Sequence, residues 1–205
     1  MDGTATSRTR ITAISGSLRR QSLNTRLLEA ARTIAPRGLD VEIYVGLAEL
    51  PMFNEDLEDA AFAGGPVRAL VDQVKRSGAL LIATPEYNHS MPGVLKNAID
   101  WLSRPGANAA LEGLPVAIVG ATSGRWGTRL AQAALRQTLI ACEVALVPAP
   151  MLFIASAHDA FRTDGSLADQ GAEASLEKIL GALMTAAAPA FDTAAPPRPA
   201  HPVLS

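Results

Sequence analysis

Short apolar runs alternate along this chain with segments whose apolar residues recur every three or four positions. The runs have the length and composition of buried strands, and the segments between them have the periodicity of amphipathic helices. Successive strands that are separated by helices run parallel and need helices on both faces of their sheet. We therefore predict an α/β fold, a doubly wound parallel sheet of five strands in three layers, α/β/α. The strands are expected at residues 10–14, 39–45, 79–83, 115–121 and 144–153, the last one bent at its prolines.

The segments between these strands carry recognisable helix boundaries. The helix after the first strand stops at Pro36-Arg37-Gly38, and the helix predicted at 66–77 begins with a proline and ends before a glycine. Residues 46–65 are expected to be mostly loop. Further helices are predicted from Pro92 to residue 102, at 128–140 and at 168–187.

A length of 205 residues and a hydrophobic content of 48% fit one domain with a large core. We assign residues 1–188 to this single domain. The remaining segment, 189–205, is rich in alanine and proline and offers little to bury, so we expect a disordered tail.

The charge pattern argues against polyanionic partners. The net charge is −2 and the Lys and Arg residues are scattered, so neither nucleic acid nor an anionic membrane is expected as a partner. Cys142 is the only cysteine, which excludes an intrachain disulfide and fits a reducing, cytoplasmic setting. The N-terminus lacks a signal-peptide stretch, and the longest apolar stretch, 144–155, is shorter than the roughly 20 residues of a bilayer span.

Ligands of doubly wound sheets bind at the carboxyl ends of the strands, near the point where the strand order reverses. The loops after the first, third and fourth strands should therefore form one site. These are also the loops whose residues are chemically unusual in this sequence.

The loop after the first strand, residues 15–24, combines hydroxyls, guanidinium groups and a helix start. This donor set suits a phosphate, through the helix dipole and charge-assisted hydrogen bonds. Gly16 is its only glycine and no Gly-Lys-Ser/Thr follows, so the loop is neither the dinucleotide fingerprint nor a P-loop. The alternative is an ordinary polar loop in which Ser22 or Asn24 caps the helix.

The loop after the third strand reads TPEYNHSMPG over residues 84–93. Pro85 stiffens the exit from the strand, and Asn88 tolerates turn geometry. Glu86 and Tyr87 therefore project at the edge of the sheet, where they can border a ligand. In the alternative interpretation, Tyr87 is a half-buried packing residue and the apolar stripe of the next helix is plain core.

The loop after the fourth strand, residues 121–128, is rich in glycine and hydroxyl groups. Glycines allow a backbone to approach a flat ligand closely, with N–H groups facing its polar edge. A tight strand-to-helix turn would need the same glycines, so this pattern alone does not distinguish the two.

Together these loops resemble those of the NAD(P)H-dependent FMN reductase family, the flavodoxin-like group that includes quinone, chromate and azo-dye reductases. The match runs in order from residue 10 to about residue 155. It is carried by Gly16-Ser17-Leu18-Arg19 with Ser22 and Asn24, by Pro85-Glu86-Tyr87-Asn88 with Ser90 and Pro92-Gly93, by Lys96–Trp101 and by Leu50–Asp56. The resemblance implies a flavodoxin-like fold with bound FMN.

The resemblance also implies a role for each matching position. Ser17, Arg19, Ser22 and Asn24 would hold the FMN phosphate, Pro85, Glu86, Tyr87 and Asn88 would border the ribityl chain and the isoalloxazine ring, and Ser123, Gly124 and Arg125 would line the other side of the ring. The helix from Pro92 would belong to a subunit interface, so a homodimer or homotetramer is expected. The third loop is less rich in glycine than family versions, and Trp126 leaves the width of the substrate slot open.

The implied activity is oxidation of NADPH or NADH and reduction of a quinone or similar small electrophile, by hydride transfer through FMN. No catalytic side chain is required, because the cofactor carries the chemistry. The histidines, His89, His158 and His201, form no triad with a serine elbow, and no His/Cys cluster suggests a metal. The alternatives are an FMN electron-transfer carrier, an FMN reductase that supplies reduced flavin to a partner enzyme, and a phosphate-binding module without catalysis.

Overall fold

The computed structural model of the chain describes residues 8–107 and 110–187. Its sheet is parallel throughout, with the strand order β2-β1-β3-β4-β5. The prediction of a doubly wound, flavodoxin-like α/β fold is confirmed. The tail predicted at 189–205 lies outside the described residues, and the domain boundary at 188 stays a prediction. The strands are β1 Thr9–Ser15, β2 Leu39–Tyr44, β3 Ala79–Ala83, β4 Pro115–Ala121, β5 Ala145–Leu146 and β6 Leu152–Ile154.

The fifth strand position is divided between β5 and β6, which both pair with β4. Pro148 and Pro150 lie between the two segments. Proline has no N–H group to donate to a neighbouring strand, so the ladder stops there and resumes at Leu152. The bend predicted at the prolines is therefore a complete interruption of the strand.

Helices cover both faces of the sheet, which explains why the central strands are apolar throughout. Leu81 and other residues on one face pack under the first and last helices, whereas Leu80 and Ile82 pack under the three helices on the opposite face. The first face carries α1 Leu23–Thr33 and α6 Gln170–Ala187, and the second carries α3 Gly65–Lys75, α4 Gly93–Leu102 and α5 Arg129–Ala141; a short helix, α2 Glu58–Ala63, precedes α3. No helix in these described ranges is long and apolar enough to cross a membrane.

The prediction that residues 46–65 are mostly loop is wrong. This segment contains two 3₁₀ turns, Leu47–Glu49 and Glu55–Leu57, followed directly by α2. The Asn54 side chain caps the second turn by accepting a hydrogen bond from the Asp56 N–H at 3.0 Å. Helices of three to six residues are too short to leave a periodic signal in the sequence.

The apolar stripe of α4 is core, so the stripe gives no support to a subunit interface, and the interface that the resemblance implies stays a prediction. Trp101 is fully buried, and the rings of Phe53 and Phe62 meet it edge-on at 5.0 and 5.8 Å. Its indole Nε1 donates to the Pro51 carbonyl at 2.8 Å. Asn97, one turn earlier, accepts from the Phe53 N–H at 2.7 Å and donates to the same Pro51 carbonyl. The segments Leu50–Asp56 and Lys96–Trp101 thus bind each other within one chain.

Candidate functional site

The loops after β1, β3 and β4 leave the sheet side by side at its carboxyl edge. The Gly16 N–H donates to the Ala83 carbonyl at 2.8 Å, and the Thr84 N–H donates to the Val119 carbonyl at 3.0 Å. β1 lies between β2 and β3, so the strand order reverses here. The site expected at this switch point of the sheet is therefore assembled from all three loops.

A polar cavity of about 150 Å³ opens between these loops. The structure brings most of the predicted site residues to it but leaves Asn88, Gly124 and Arg125 outside its lining. Leu23, Ala121 and Thr122 also line it and were not predicted; Thr122 directly follows β4, and that position at a strand end is the signal that could have identified it. The full lining is Ser17, Arg19, Ser22, Leu23, Asn24, Pro85, Glu86, Tyr87, Ala121, Thr122 and Ser123.

The first loop presents donors to this cavity. Ser22 is the N-cap of α1 and accepts a hydrogen bond from the Thr25 N–H at 3.1 Å, which leaves its own O–H free to donate. Arg19 is exposed, and no carboxylate within the described ranges lies within 4.0 Å of its guanidinium. The positive end of the α1 dipole lies beside it. This donor set fits a phosphate dianion.

Asn24 has a structural use that the sequence did not suggest. Its side chain is buried, its Nδ2 donates to the Ala121 carbonyl at 2.9 Å, and its Oδ1 accepts from the Ala121 N–H at 3.0 Å. This amide therefore ties the start of α1 to the end of β4. Its predicted contact with a phosphate stays a prediction.

The second loop reverses in a tight hairpin turn. The Tyr87 N–H donates to the Ser90 carbonyl at 2.9 Å, and the Ser90 N–H donates back at 3.0 Å. Asn88 and His89 between them have positive φ angles of 50° and 63°, as in a type I′ turn. The turn leaves Tyr87 half-buried, with 47% of the residue exposed, and its side chain lines the cavity.

The carboxylate of Glu86 accepts hydrogen bonds from helix α5, which follows the third loop. Its Oε2 accepts from the Leu130 N–H at 2.9 Å and from the Ala131 N–H at 3.0 Å, in the first turn of α5. Glu86 therefore lines the cavity while its charge is offset by the helix N-terminus.

The third loop turns sharply into α5. Gly127 has a φ of +73°, and a Cβ built on it would lie 3.0 Å from Cβ of Phe153, so this position requires glycine. The Arg125 guanidinium lies 4.7 Å from the centre of the Trp126 ring, a cation–π contact outside the cavity. Trp126 itself is 71% exposed.

A second, less polar cavity of about 330 Å³ shares Arg19 and Tyr87 with the first. It lies between the first loop and the start of α4, and its lining is Gly16, Leu18, Arg19, Tyr87, Pro92, Gly93 and Val94. Of these two cavities, the polar one presents hydrogen-bond donors that suit a phosphate, and the other is a space lined largely by carbon. FMN carries an anionic phosphate at one end and a flat ring at the other, so the residues present fit it.

The cysteine of the chain lies apart from this arrangement. Burial raises the pKa of the Cys142 thiol, and the nearby Asp100 carboxylate raises it further, which keeps the thiol protonated at neutral pH. Cys142 ends α5, about 20 Å along that helix from the loop that begins it. Within residues 8–107 and 110–187, no group of three or more His, Cys, Asp or Glu side chains is placed to hold a metal ion.

Known proteins resemble the chain over the region that contains all three loops. A family model described as NADPH-dependent FMN reductase matches residues 9–159. An NAD(P)H-dependent FMN reductase of Pseudomonas aeruginosa is 42% identical over 174 residues, which cover 85% of this chain and 92% of that protein. A 2-hydroxy-1,4-benzoquinone reductase of a Burkholderia species is 40% identical over 157 residues, which cover 77% of this chain and 83% of that protein.

The fold of the chain is also similar to that of a solved structure. A flavoenzyme NAD(P)H:(acceptor) oxidoreductase from Paracoccus denitrificans has a TM-score of 0.79 and 33% sequence identity, over 88% of this chain and 98% of that chain. The matching region therefore includes both the sheet and the loops at its carboxyl edge.

Proposed function

The chain belongs to the NADPH-dependent FMN reductase family, whose members are oxidoreductases, and we propose that it binds FMN and reduces small quinones with NADPH or NADH. The observation that carries this proposal is the pair of adjoining cavities at the switch point of the sheet. One cavity presents hydrogen-bond donors to a phosphate, and the other is lined largely by carbon. Quinones are proposed as acceptors because relatives from Burkholderia and Pseudomonas putida are named quinone reductases.

The side chains of the polar cavity would bind and orient the cofactor. Arg19 and the hydroxyls of Ser17 and Ser22 would hold the phosphate, while the backbone around Pro85 and Ser123 would border the ribityl chain and the ring. Bound FMN would supply the redox chemistry, in which NAD(P)H, a proton and a quinone yield NAD(P)⁺ and a hydroquinone by hydride transfer. Tyr87 and Val94, beside the second cavity, would exclude water from the ring.

Free flavin is a second candidate acceptor, favoured by the name of the Pseudomonas aeruginosa relative. A pure electron-transfer carrier is disfavoured because such carriers are often strongly acidic, whereas this chain has a net charge of −2. A homodimer or homotetramer, and a cytoplasmic location, stay predictions. Support for association comes from exposed apolar side chains around the loops, Leu18, Tyr87, Trp126 and Leu130.

The direct test combines a spectrum with an activity assay. The protein, purified and incubated with FMN, should retain a yellow flavin band after gel filtration and should oxidise NADPH or NADH when a benzoquinone is added. Retention of flavin without quinone-dependent oxidation would favour the carrier. Failure to retain any flavin would reject the proposed function.

We predict ping-pong kinetics for this reaction. With FMN bound, a single slot above the flavin ring would serve donor and acceptor in turn. Initial rates measured over a grid of NADPH and quinone concentrations should give parallel double-reciprocal lines. Intersecting lines would mean that both substrates are bound at once and would contradict a shared slot.

A further inference from the structure

Helix α5 receives its N-terminal cap from a distant part of the chain. Its own N-cap residue, Thr128, makes no side-chain bond to the backbone of the first turn, and its hydroxyl accepts from the Gln132 side-chain amide at 3.1 Å. The acceptor for the Leu130 and Ala131 N–H groups is instead the Glu86 carboxylate, 44 and 45 positions earlier. A carboxylate at this end of a helix also interacts favourably with the helix dipole.

This cap joins two of the loops that line the polar cavity. The loop over residues 122–128 is held on its other side by β6 and the residues that follow it, since the Thr122 N–H donates to the Ile154 carbonyl at 2.9 Å and the Ser156 N–H donates to the Gly124 carbonyl at 3.0 Å. Those bonds hold the loop against β6, and the bond from the Thr84 N–H to the Val119 carbonyl joins β4 to the start of the loop after β3. The Glu86 bonds add a connection farther along, between the loop after β3 and the first turn of α5.

The acceptor of these bonds is largely buried, whereas the bond from Leu130 is exposed and the bond from Ala131 is partly buried. The Glu86 side chain is only 15% exposed, and charge-assisted hydrogen bonds strengthen as water is excluded. Close packing supports the same arrangement, because a Cβ on Gly120 would lie 2.6 Å from the Thr84 carbonyl oxygen at the start of the loop that carries Glu86.

We propose that Glu86 is a positioning residue, whose carboxylate caps α5 and thereby sets the separation of the two loops that would border the flavin ring. The proposal rests on the proposed function. In this proposal the Glu86 carboxylate contacts neither the substrate nor the cofactor. Its effect on binding should therefore concern the ring and ribityl chain, which FMN and riboflavin share, and not the phosphate, which only FMN carries.

The test uses Glu86→Ala and Glu86→Gln in the full-length chain. Glu86→Ala should weaken FMN and riboflavin binding by the same factor, roughly 2- to 30-fold, the usual range for a residue that couples a site through another element. Glu86→Gln should recover most of the affinity, because an amide oxygen can still accept from both N–H groups. Fluorescence quenching titrations give the affinities, and amide exchange at Leu130 and Ala131 should quicken in Glu86→Ala alone.

Asp169→Ala is the matched control, because it removes another carboxylate cap. The Asp169 Oδ1 accepts from the Gly171 N–H at 2.7 Å at the start of α6, away from the polar cavity. This variant should lose stability without losing affinity for either flavin. Unchanged affinities in Glu86→Ala, a loss confined to FMN, or a Glu86→Gln variant as weak as Glu86→Ala would overturn the proposal. If the wild-type chain bound no flavin, the proposed function would fail instead.

Discussion

Arg19→Ala should weaken FMN binding by roughly 10- to 150-fold and leave riboflavin binding almost unchanged. A charge-assisted hydrogen bond contributes about 1.5–3 kcal/mol, which corresponds to this range of affinity. Arg19 lines both cavities and has no carboxylate partner in the described part of the chain, so its guanidinium is available to a phosphate. Quenching of flavin fluorescence, titrated with FMN and with riboflavin, measures the two affinities.

Arg20→Ala is the matched control, because it removes the same charge from the neighbouring position. Arg20 is exposed and does not line either cavity, so this variant should change FMN affinity much less. Equal losses for FMN and riboflavin in Arg19→Ala would mean that the residue acts on the fold of the loop. No loss for either ligand would show that the first loop does not bind the phosphate. The pattern differs from that expected of Glu86→Ala, in which both ligands weaken together.

The strand and helix pattern could be predicted because burial on both faces of the sheet leaves a direct mark on the sequence. The strands Ala79–Ala83 and Pro115–Ala121 are apolar along their whole length, and both were predicted with the observed bounds. The loops of the site could be located for a related reason. Doubly wound topology brings the carboxyl ends of β1, β3 and β4 together, whatever the loops contain.

The uses of individual side chains could not be predicted, because they depend on partners that are far away in the sequence. The bond partners of Glu86 and Asn24 lie 44 and 97 positions away, and nothing local indicates them. The stripe that contains Trp101 was ambiguous for another reason. An apolar helix face shows that something covers it, but the periodicity is the same whether the cover is a loop of the same chain or a second subunit.

Asn24→Ala should destabilise the fold by roughly 2–6 kcal/mol, measured as the free energy of unfolding in urea without added flavin. The substitution leaves the buried Ala121 N–H and carbonyl groups without their partners, and each unsatisfied buried group costs about 1–3 kcal/mol. Thr25→Ala is the control, because the adjacent residue of α1 loses only one side-chain bond, to the Ser15 hydroxyl at 2.9 Å. Its cost should be about 1 kcal/mol. Similar losses in both variants would mean that the tie between α1 and β4 contributes little.

Asn24→Asp should test the same pair of hydrogen bonds to Ala121 through the pH dependence of the free energy of unfolding. One carboxylate oxygen can still accept from the Ala121 N–H, but the other replaces the donor that faces the Ala121 carbonyl. Repulsion from that carbonyl and burial both disfavour the charged form, so the pKa of the new carboxyl should lie above its unfolded value of about 3.9. The folded state then binds the proton more tightly than the unfolded state, and the protonated group donates to the carbonyl as the amide does. The stability deficit relative to wild type should therefore be small at low pH and should grow as pH rises through the raised pKa. Urea unfolding of both proteins between acidic and neutral pH measures this difference, and a deficit that stayed constant or grew on acidification would contradict the assigned bond geometry.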